Sequence, residues 1–272
     1  LEKDIFPWVG NRPIKDVAAQ DLLTALRKIE SRGAHEKARR CRMYAGMVFR
    51  YAVATGRAGR DPSADLKGAL TPVKVKHHAS VTDPRAIGAL IRAINGYTGS
   101  FVTKCALSLA PLVFVRPGEL RHAEWSEIDF DRKEWRIAAH KMKMREQHIV
   151  PLSRQAIEIL QAVKLLTGDG QYVFPSIRSG LRPMSENTIN AALRRLGYTS
   201  EQMCGHGFRA MARTIVDEVL SYPIEVIEMQ LAHAVKDANG RAYNRTKYLE
   251  QRHKMMQHWS DYLDGLREGN VV

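Results

Sequence analysis

Apolar residues recur at helical spacing early in the chain. Val17, Leu22, Leu23, Leu26 and Ile29 predict a helix over 14–31, stopped by Gly33. A second helix is expected over 34–55, with Tyr44, Met47, Val48 and Tyr51 as its apolar stripe. Lys37, Arg39, Arg40, Arg42 and Arg50 crowd its other faces, and Gly56, Gly59 and Asp61-Pro62 end it. Residues 67–82 lose the period: Gly68, Pro72, alternating Val and Lys, and the pair His77-His78 describe a basic linker. Paired linker histidines do not make a metal site without further ligands.

Helices resume over 83–95, 99–113 and 116–123, and then the period changes. Residues 125–129, 134–138 and 148–152 predict three short strands, with Asp131-Arg132-Lys133 as the first turn and a Lys/Met/Arg-rich hairpin over 140–147 as the second connection. Helices are expected again over 153–166, 185–196, 206–220, 223–232, 240–251 and 253–266, with Tyr172-Val173-Phe174-Pro175 lying between the first two. The pattern therefore predicts an all-helical module followed by a helical domain that carries one small three-stranded antiparallel sheet. The last helix, with Met255, Met256, Trp259, Tyr262 and Leu263, suits either core packing or docking onto another subunit.

The length of 272 residues fits two cores better than one. The longest nearly apolar run, Cys105 to Val115, is too short to span a bilayer. The chain opens on Leu1 within structured sequence, so a fragment lacking an N-terminal part is expected. Cys41, Cys105 and Cys204 are odd in number and far apart, which supports neither a disulfide framework nor a zinc ribbon and suits a reducing cytoplasm.

Charge changes the picture more. The net charge is +13, and it is unevenly spread. Residues 1–80 hold 16 Lys/Arg against 8 Asp/Glu, whereas residues 81–272 hold 26 against 21. A basic small module beside a nearly balanced larger one suggests a DNA clamp attached to a second domain.

Several chemistries lack their motifs. There is no G-x-S-x-G elbow, no phosphate-cradling G-x-x-x-x-G-K-[ST] loop, no G-x-G-x-x-G turn and no H-E-x-x-H pair. What remains is a dispersed set of basic residues. Arg116 precedes Pro117-Gly118-Glu119-Leu120 at a helix start, where backbone N–H groups favour an anion, and Glu119 is placed to hold the guanidinium. Taken alone, such an arginine equally suits a structural ion pair. In His206-Gly207-Phe208-Arg209, positions i and i+3 share a helical face, so imidazole and guanidinium can approach one oxyanion while Gly207 leaves room for backbone. Leu231-Ala232-His233 ends a helix, and Tyr243 follows ten residues later in Gly240-Arg241-Ala242-Tyr243-Asn244-Arg245.

With these residues the chain resembles the tyrosine recombinase, or phage integrase, family, especially the branch of prophage and genomic-island integrases. The family's order of Arg, hairpin Lys, His-x-x-Arg, His or Trp, and Tyr is met by Arg116, Lys143, His206 with Arg209, His233 and Tyr243. The segments Arg182-Pro183-Met184-Ser185-Glu186-Asn187-Thr188 and Ala242-Tyr243-Asn244-Arg245-Thr246 also resemble that branch. The hairpin offers Lys141, Lys143 and Arg145; Lys143, eight residues before Pro151, matches the family's spacing. Tyr243 and Tyr248 both follow His233, and Tyr243 lies nearer the family's usual distance. Ala232 stands where many relatives have Gly.

The resemblance implies a helical core-type DNA-binding domain over 1–75, a linker over 76–82 and a catalytic domain of the DNA breaking-rejoining type over 83–272. It implies Tyr243 as nucleophile, forming a 3′-phosphotyrosyl ester, and Arg116, Arg209 and His233 as donors to the phosphate. Lys143 would be the general acid, His206 would assist proton transfer, and Glu119 would be a supporting residue. Arg39, Arg40, Arg42, Lys141 and Arg145 are the candidates for DNA contact. No cofactor, metal or ATP is implied. The implied partners are attachment-site DNA held in a C-shaped clamp, a homotetramer at synapsis, and DNA-bending or excision accessory proteins, in a bacterial cytoplasm at the nucleoid. The alternatives on the same fold are a type IB topoisomerase and a noncatalytic DNA-binding regulator.

Overall fold

The computed structural model describes residues 1–73, 78–233 and 248–270. The chain divides into two compact units, Leu1–His77 and His78–Val272.

The first unit is helical. A short helix α1 (Phe6–Val9) and a 3-10 turn over Ile14–Asp16 precede α2 (Ala19–Glu30) and α3 (His35–Ala54). The helix expected from residue 14 therefore starts at Ala19: Val17 is extended, and the Ala18 N–H is taken by the Asp21 carboxylate at 3.1 Å. Leu22, Leu26 and Ile29 of α2 are fully buried. The expected apolar stripe of α3 faces the other way. Tyr44, Met47, Val48 and Tyr51 are exposed, and the buried face is Ala38, Cys41, Ala45, Phe49 and Ala52. Small residues on that face let α3 approach α2 closely. At Gly46 an added Cβ would lie 2.5 Å from the Ser63 hydroxyl. Side-chain size had pointed to the wrong side of the helix.

The second unit begins with α4 (Pro84–Asn95), α5 (Phe101–Val113) and α6 (Pro117–Arg121). Asp83 caps α4 through the Ala86 N–H, with Pro84 at the first turn, and Ser100 caps α5 through the Thr103 N–H. The sheet then pairs β1 (Ile128–Asp129), β2 (Glu134–Ile137) and β3 (His148–Pro151) in antiparallel order, with Trp135 opposite Val150 and Ile137 opposite His148. The first strand is shorter than expected. Residues 125–127 form a 3-10 turn, because the Trp125 indole donates to the Thr167 carbonyl and Glu127 accepts the Glu124 N–H.

Next come α7 (Arg154–Thr167), capped by Ser153, and a small hairpin of β4 (Pro175–Ser176) and β5 (Ser179–Pro183) that the pattern did not signal. Residues 180–182 are exposed, so no apolar alternation marks the hairpin. The chain continues through α8 (Thr188–Arg195), α9 (Gly207–Glu218), α10 (Ile224–Gln230) and α11 (Leu249–Glu268). The break expected near residue 252 is absent, since α11 runs unbroken there; residues 240–247 of the helix expected over 240–251 lie outside the described residues.

Met255, Met256, Trp259 and Leu263 of α11 are buried in the core of their own chain, so this helix packs as core and not as an external docking element. The Trp259 indole donates to the Pro111 carbonyl at 2.8 Å. At Gly88 a Cβ would lie 2.3 Å from the Leu266 carbonyl oxygen, which explains how closely α4 and α11 approach. Among the described residues no helix is long and apolar enough to cross a membrane.

The fold is thus mainly helical: an all-helical first unit, and a second helical unit that carries the expected three-stranded antiparallel sheet.

Candidate active site

Three chain segments of the second unit bring basic side chains together. The first is the α5–α6 junction. Phe114 ends α5 in the left-handed conformation, and Arg116 then stands at the N-cap of α6, just before Pro117. Glu119, buried, takes the Arg116 backbone N–H on one oxygen and its guanidinium on the other, both at 2.7 Å. One carboxylate thereby fixes both ends of the arginine and leaves its remaining donors free to grip an anion.

The second segment is the start of α9. Arg209, 5% exposed, donates to the Phe114 carbonyl, to the Leu231 carbonyl at 2.7 Å and to His233 Nε2 at 3.3 Å. Burial, and then the Arg116 charge, push its pKa down to about 10, so it remains a cation at neutral pH. His206 stands at the N-cap position of the same helix and is pushed down to about 4 by burial, then by His78 and the arginines, so its imidazole is neutral. The His78 ring lies on it, with centroids 4.1 Å apart. Gly207 is required here: a Cβ would lie 2.1 Å from the Ala79 carbonyl oxygen, and Ser80 bonds the Gly207 carbonyl at 2.8 Å.

The third segment ends α10. The Ala232 N–H bonds the Met229 carbonyl at 3.1 Å and the His233 N–H bonds the Glu228 carbonyl at 3.0 Å, the pairing of a Schellman closure. Its left-handed position is Ala232, at φ 50°, a conformation that costs a non-glycine residue about 1–2 kcal/mol. This reversal turns the His233 ring back so that Nδ1 meets the Glu228 carboxylate, while Nε2 faces Arg209. Arg213, one turn beyond Arg209, holds the other Glu228 oxygen at 2.8 Å.

The hairpin separates its three cations. Lys141 is committed to Glu124 at 2.6 Å, Glu127 at 2.9 Å and the His122 carbonyl at 3.1 Å. Burial alone would lower its pKa, but the two carboxylates outweigh that and raise it. Lys141 is thus part of an internal ion-pair cluster. Met142 is buried and anchors the loop, and Lys143 and Arg145 beyond it are exposed. On α3, Arg39 is exposed, Arg40 pairs with Glu36 at 3.5 Å across one turn, and the half-buried Arg42 donates to the Ser63 carbonyl at 3.2 Å. Tyr243 lies outside the described residues. Tyr248, the other tyrosine candidate, immediately precedes α11 in the left-handed conformation and packs against the core.

Arg116, His206, Arg209 and His233 thus converge, with Glu119 behind the first arginine and Glu228 behind the second histidine. Glu228 and Arg213 were not singled out from sequence. A glutamate five residues before a histidine looks like an ordinary solvent-facing helix position. Only the chain reversal at Ala232 brings the two side chains together. Among the described residues no group of three or more His, Cys, Asp or Glu side chains could hold a metal ion.

The profile of the phage integrase central domain matches residues 1–69, and that of the phage integrase family matches residues 80–250. The chain belongs to the phage integrase family. It is 39% identical over 278 residues to the integrase of Enterobacteria phage P4, which it covers over 63% of that protein's length and 97% of its own. It is 38% identical over 272 residues to prophage integrase IntA of Escherichia coli K12, covering 65% of that relative and 100% of itself. The chain therefore spans a little under two thirds of both relatives. Among solved structures, a lambda integrase dimer bound to a COC′ core site aligns with a TM-score of 0.65 at 20% identity, over 89% of this chain and 88% of that one. The Tn1549 transposon integrase in complex with circular intermediate DNA aligns with a TM-score of 0.64 at 12% identity, over 89% and 87%. At those identities the likeness to the two structures is one of fold.

Proposed function

We propose that the chain is the DNA-binding and catalytic part of a site-specific recombinase that cuts and rejoins DNA through a 3′-phosphotyrosyl intermediate. The observation that carries the reading is the convergence of Arg116, Arg209, His206 and His233 from separated segments onto one site, with Arg209 buried and gripped by main-chain carbonyls.

In-line attack on a phosphodiester spreads negative charge over the nonbridging oxygens. Fixed cations stabilise that charge with little reorganisation, and one such donor is worth about 3–4 kcal/mol. Arg116 and Arg209 are the planar donors for it, and His233 adds a third. Tyr243 Oη attacks phosphorus and its proton passes to the neutral His206. The bond to the 5′ oxygen breaks, and Lys143 on the exposed hairpin supplies that oxygen's proton. The phosphotyrosyl ester stores the bond energy, so the 5′-hydroxyl of a partner strand can reverse the step without ATP.

Double-stranded attachment-site DNA is the proposed substrate. A dimer on a core site and a tetramer on a Holliday junction are described for lambda integrase, and a homotetramer is the proposed synaptic form here, with DNA-bending or excision proteins as accessory partners. In the first unit, Arg39 and Arg40 on the exposed face of α3, and in the second Arg145 on the hairpin, are the proposed phosphate contacts.

The test is covalent adduct formation in EDTA on end-labelled attachment-site DNA with a nick that lets the 5′ fragment leave. Wild-type protein and Tyr248→Phe should form the adduct, and Tyr243→Phe should not. Loss in Tyr248→Phe alone moves the nucleophile. Salt-sensitive binding without any adduct favours a noncatalytic DNA-binding protein.

A further inference from the structure

We propose that Glu228, braced by Arg213, is a positioning residue for His233: its carboxylate holds the ring with Nδ1 protonated and Nε2 turned toward Arg209 and the phosphate. The kinetic consequence rests on the recombinase reading above; the tautomer is a property of the free protein.

Glu228 holds His233 at two points. Its carbonyl accepts the His233 N–H at 3.0 Å, and its Oε2 meets Nδ1. Its other oxygen, Oε1, accepts from Arg213 Nε at 2.8 Å, so the carboxylate itself cannot swing away without losing a partner. An ionised carboxylate only accepts hydrogen bonds, so the nitrogen facing it must carry the proton. Burial pushes the Glu228 carboxyl up, but the hydrogen bonds from His233 and Arg213 outweigh it and hold it below its ordinary range, ionised at neutral pH.

The remaining ring nitrogen then has one arrangement in each protonation state. In the neutral ring Nε2 offers a lone pair to the Arg209 N–H at 3.3 Å. When a phosphate engages Arg209, Nε2 can take a proton and donate to the phosphate, and Glu228 stabilises the imidazolium so formed. Among the described residues, Glu228 from α10 and Arg209 from α9 meet this ring, with Arg213 of α9 behind Glu228 and the neutral His206 at the start of α9 nearby. Glu228 is the carboxylate among them, and it offsets the arginines that would otherwise disfavour a third cation.

Glutamine at 228 tests this sharply. Arg213 and His233 meet different oxygens of the carboxylate, and in glutamine one of those two positions is an amide nitrogen that donates. With the oxygen on Arg213, its amide N–H points at Nδ1 and selects the Nε2–H tautomer. The experiment combines nitrogen NMR of 15N-histidine protein, with His233 signals assigned by their loss in His233→Asn, and adduct formation on the nicked attachment-site DNA. The expected wild-type signal is Nδ1–H. Glu228→Gln should move the proton to Nε2 and slow adduct formation by about 10- to 100-fold, the size of effect known for losing the hydrogen-bond partner behind a metal-ligating histidine. Glu228→Asp should restore the tautomer and part of the rate. A wild-type Nε2–H tautomer, or a Glu228→Gln protein with unchanged tautomer or unchanged rate, overturns the proposal. If no variant forms an adduct but the tautomer still switches, the recombinase reading fails and the Glu228–His233 pairing stands.

Discussion

The cations of α3 and those around Arg209 are the same residue types held in opposite ways. On α3, Arg39 and Arg40 stand in solvent, and the Arg40–Glu36 pair at 3.5 Å has a side chain two-thirds exposed. Such pairs contribute at most about 1 kcal/mol and rearrange freely. At the site, Arg209 is 5% exposed and is held in place by bonds to the Phe114 and Leu231 carbonyls and His233. The first arrangement suits a diffuse polyanion met in many registers, where each charge adds a small, salt-dependent increment. The second suits one charge appearing at one place, because its dipoles are already oriented. Position in the fold, more than charge, separates proposed binding from proposed chemistry.

Replacing Arg209 should break the comparison most visibly. Arg209→Lys keeps a cation but offers one nitrogen where three directions are needed. Adduct formation at saturating DNA should fall by roughly 100- to 1,000-fold, with equilibrium binding of the same DNA changed far less. A rate that survives would mean that charge alone suffices, and the distinction between the two regions would collapse.

The hairpin contains the same contrast in miniature. Lys143→Ala should slow adduct formation by about 100-fold through loss of the proton donor, without changing the unfolding temperature. Lys141→Ala should instead leave Glu124 and Glu127 unpaired and cost on the order of 1 kcal/mol of stability, read as a lower Tm, with the smaller kinetic effect. The reverse result would exchange the two lysines.

The smallest effect is expected on α3. The double substitution Arg39→Gln with Arg40→Gln should weaken DNA binding and flatten the plot of log affinity against log salt by about 0.9 for each phosphate no longer neutralised. The rate at saturating DNA should be unchanged. A rate defect there would show that α3 also orders the site.

Much of this was legible before the fold. The helices expected over 83–95, 99–113 and 153–166 are found at Pro84–Asn95, Phe101–Val113 and Arg154–Thr167, because their apolar period is set locally. Arg116 and Glu119 are three residues apart, a spacing a helix turn converts into contact whatever surrounds it. Other features depend on distant packing. The buried face of α3 is lined by alanines and Gly46, and no count of hydrophobicity prefers them over Tyr44, Met47, Val48 and Tyr51. The exposed turn of the 175–183 hairpin has no apolar face to announce it.

By itself, then, the sequence determined the helical character and the two-part organisation of charge, which follow from local spacing and residue chemistry, and its resemblance to the phage integrase family picked out Arg116, Lys143, His206, Arg209, His233 and Tyr243 in order. Tertiary structure alone decided that Lys141 belongs to Glu124 and Glu127, that α11 packs into the core of its own chain, and that Arg213 and Glu228 stand behind His233. The reason is physical. A hydrogen-bond partner on another element is selected by where two backbones pass, and a left-handed turn at one alanine redirects a side chain in a way that no periodicity along the chain records.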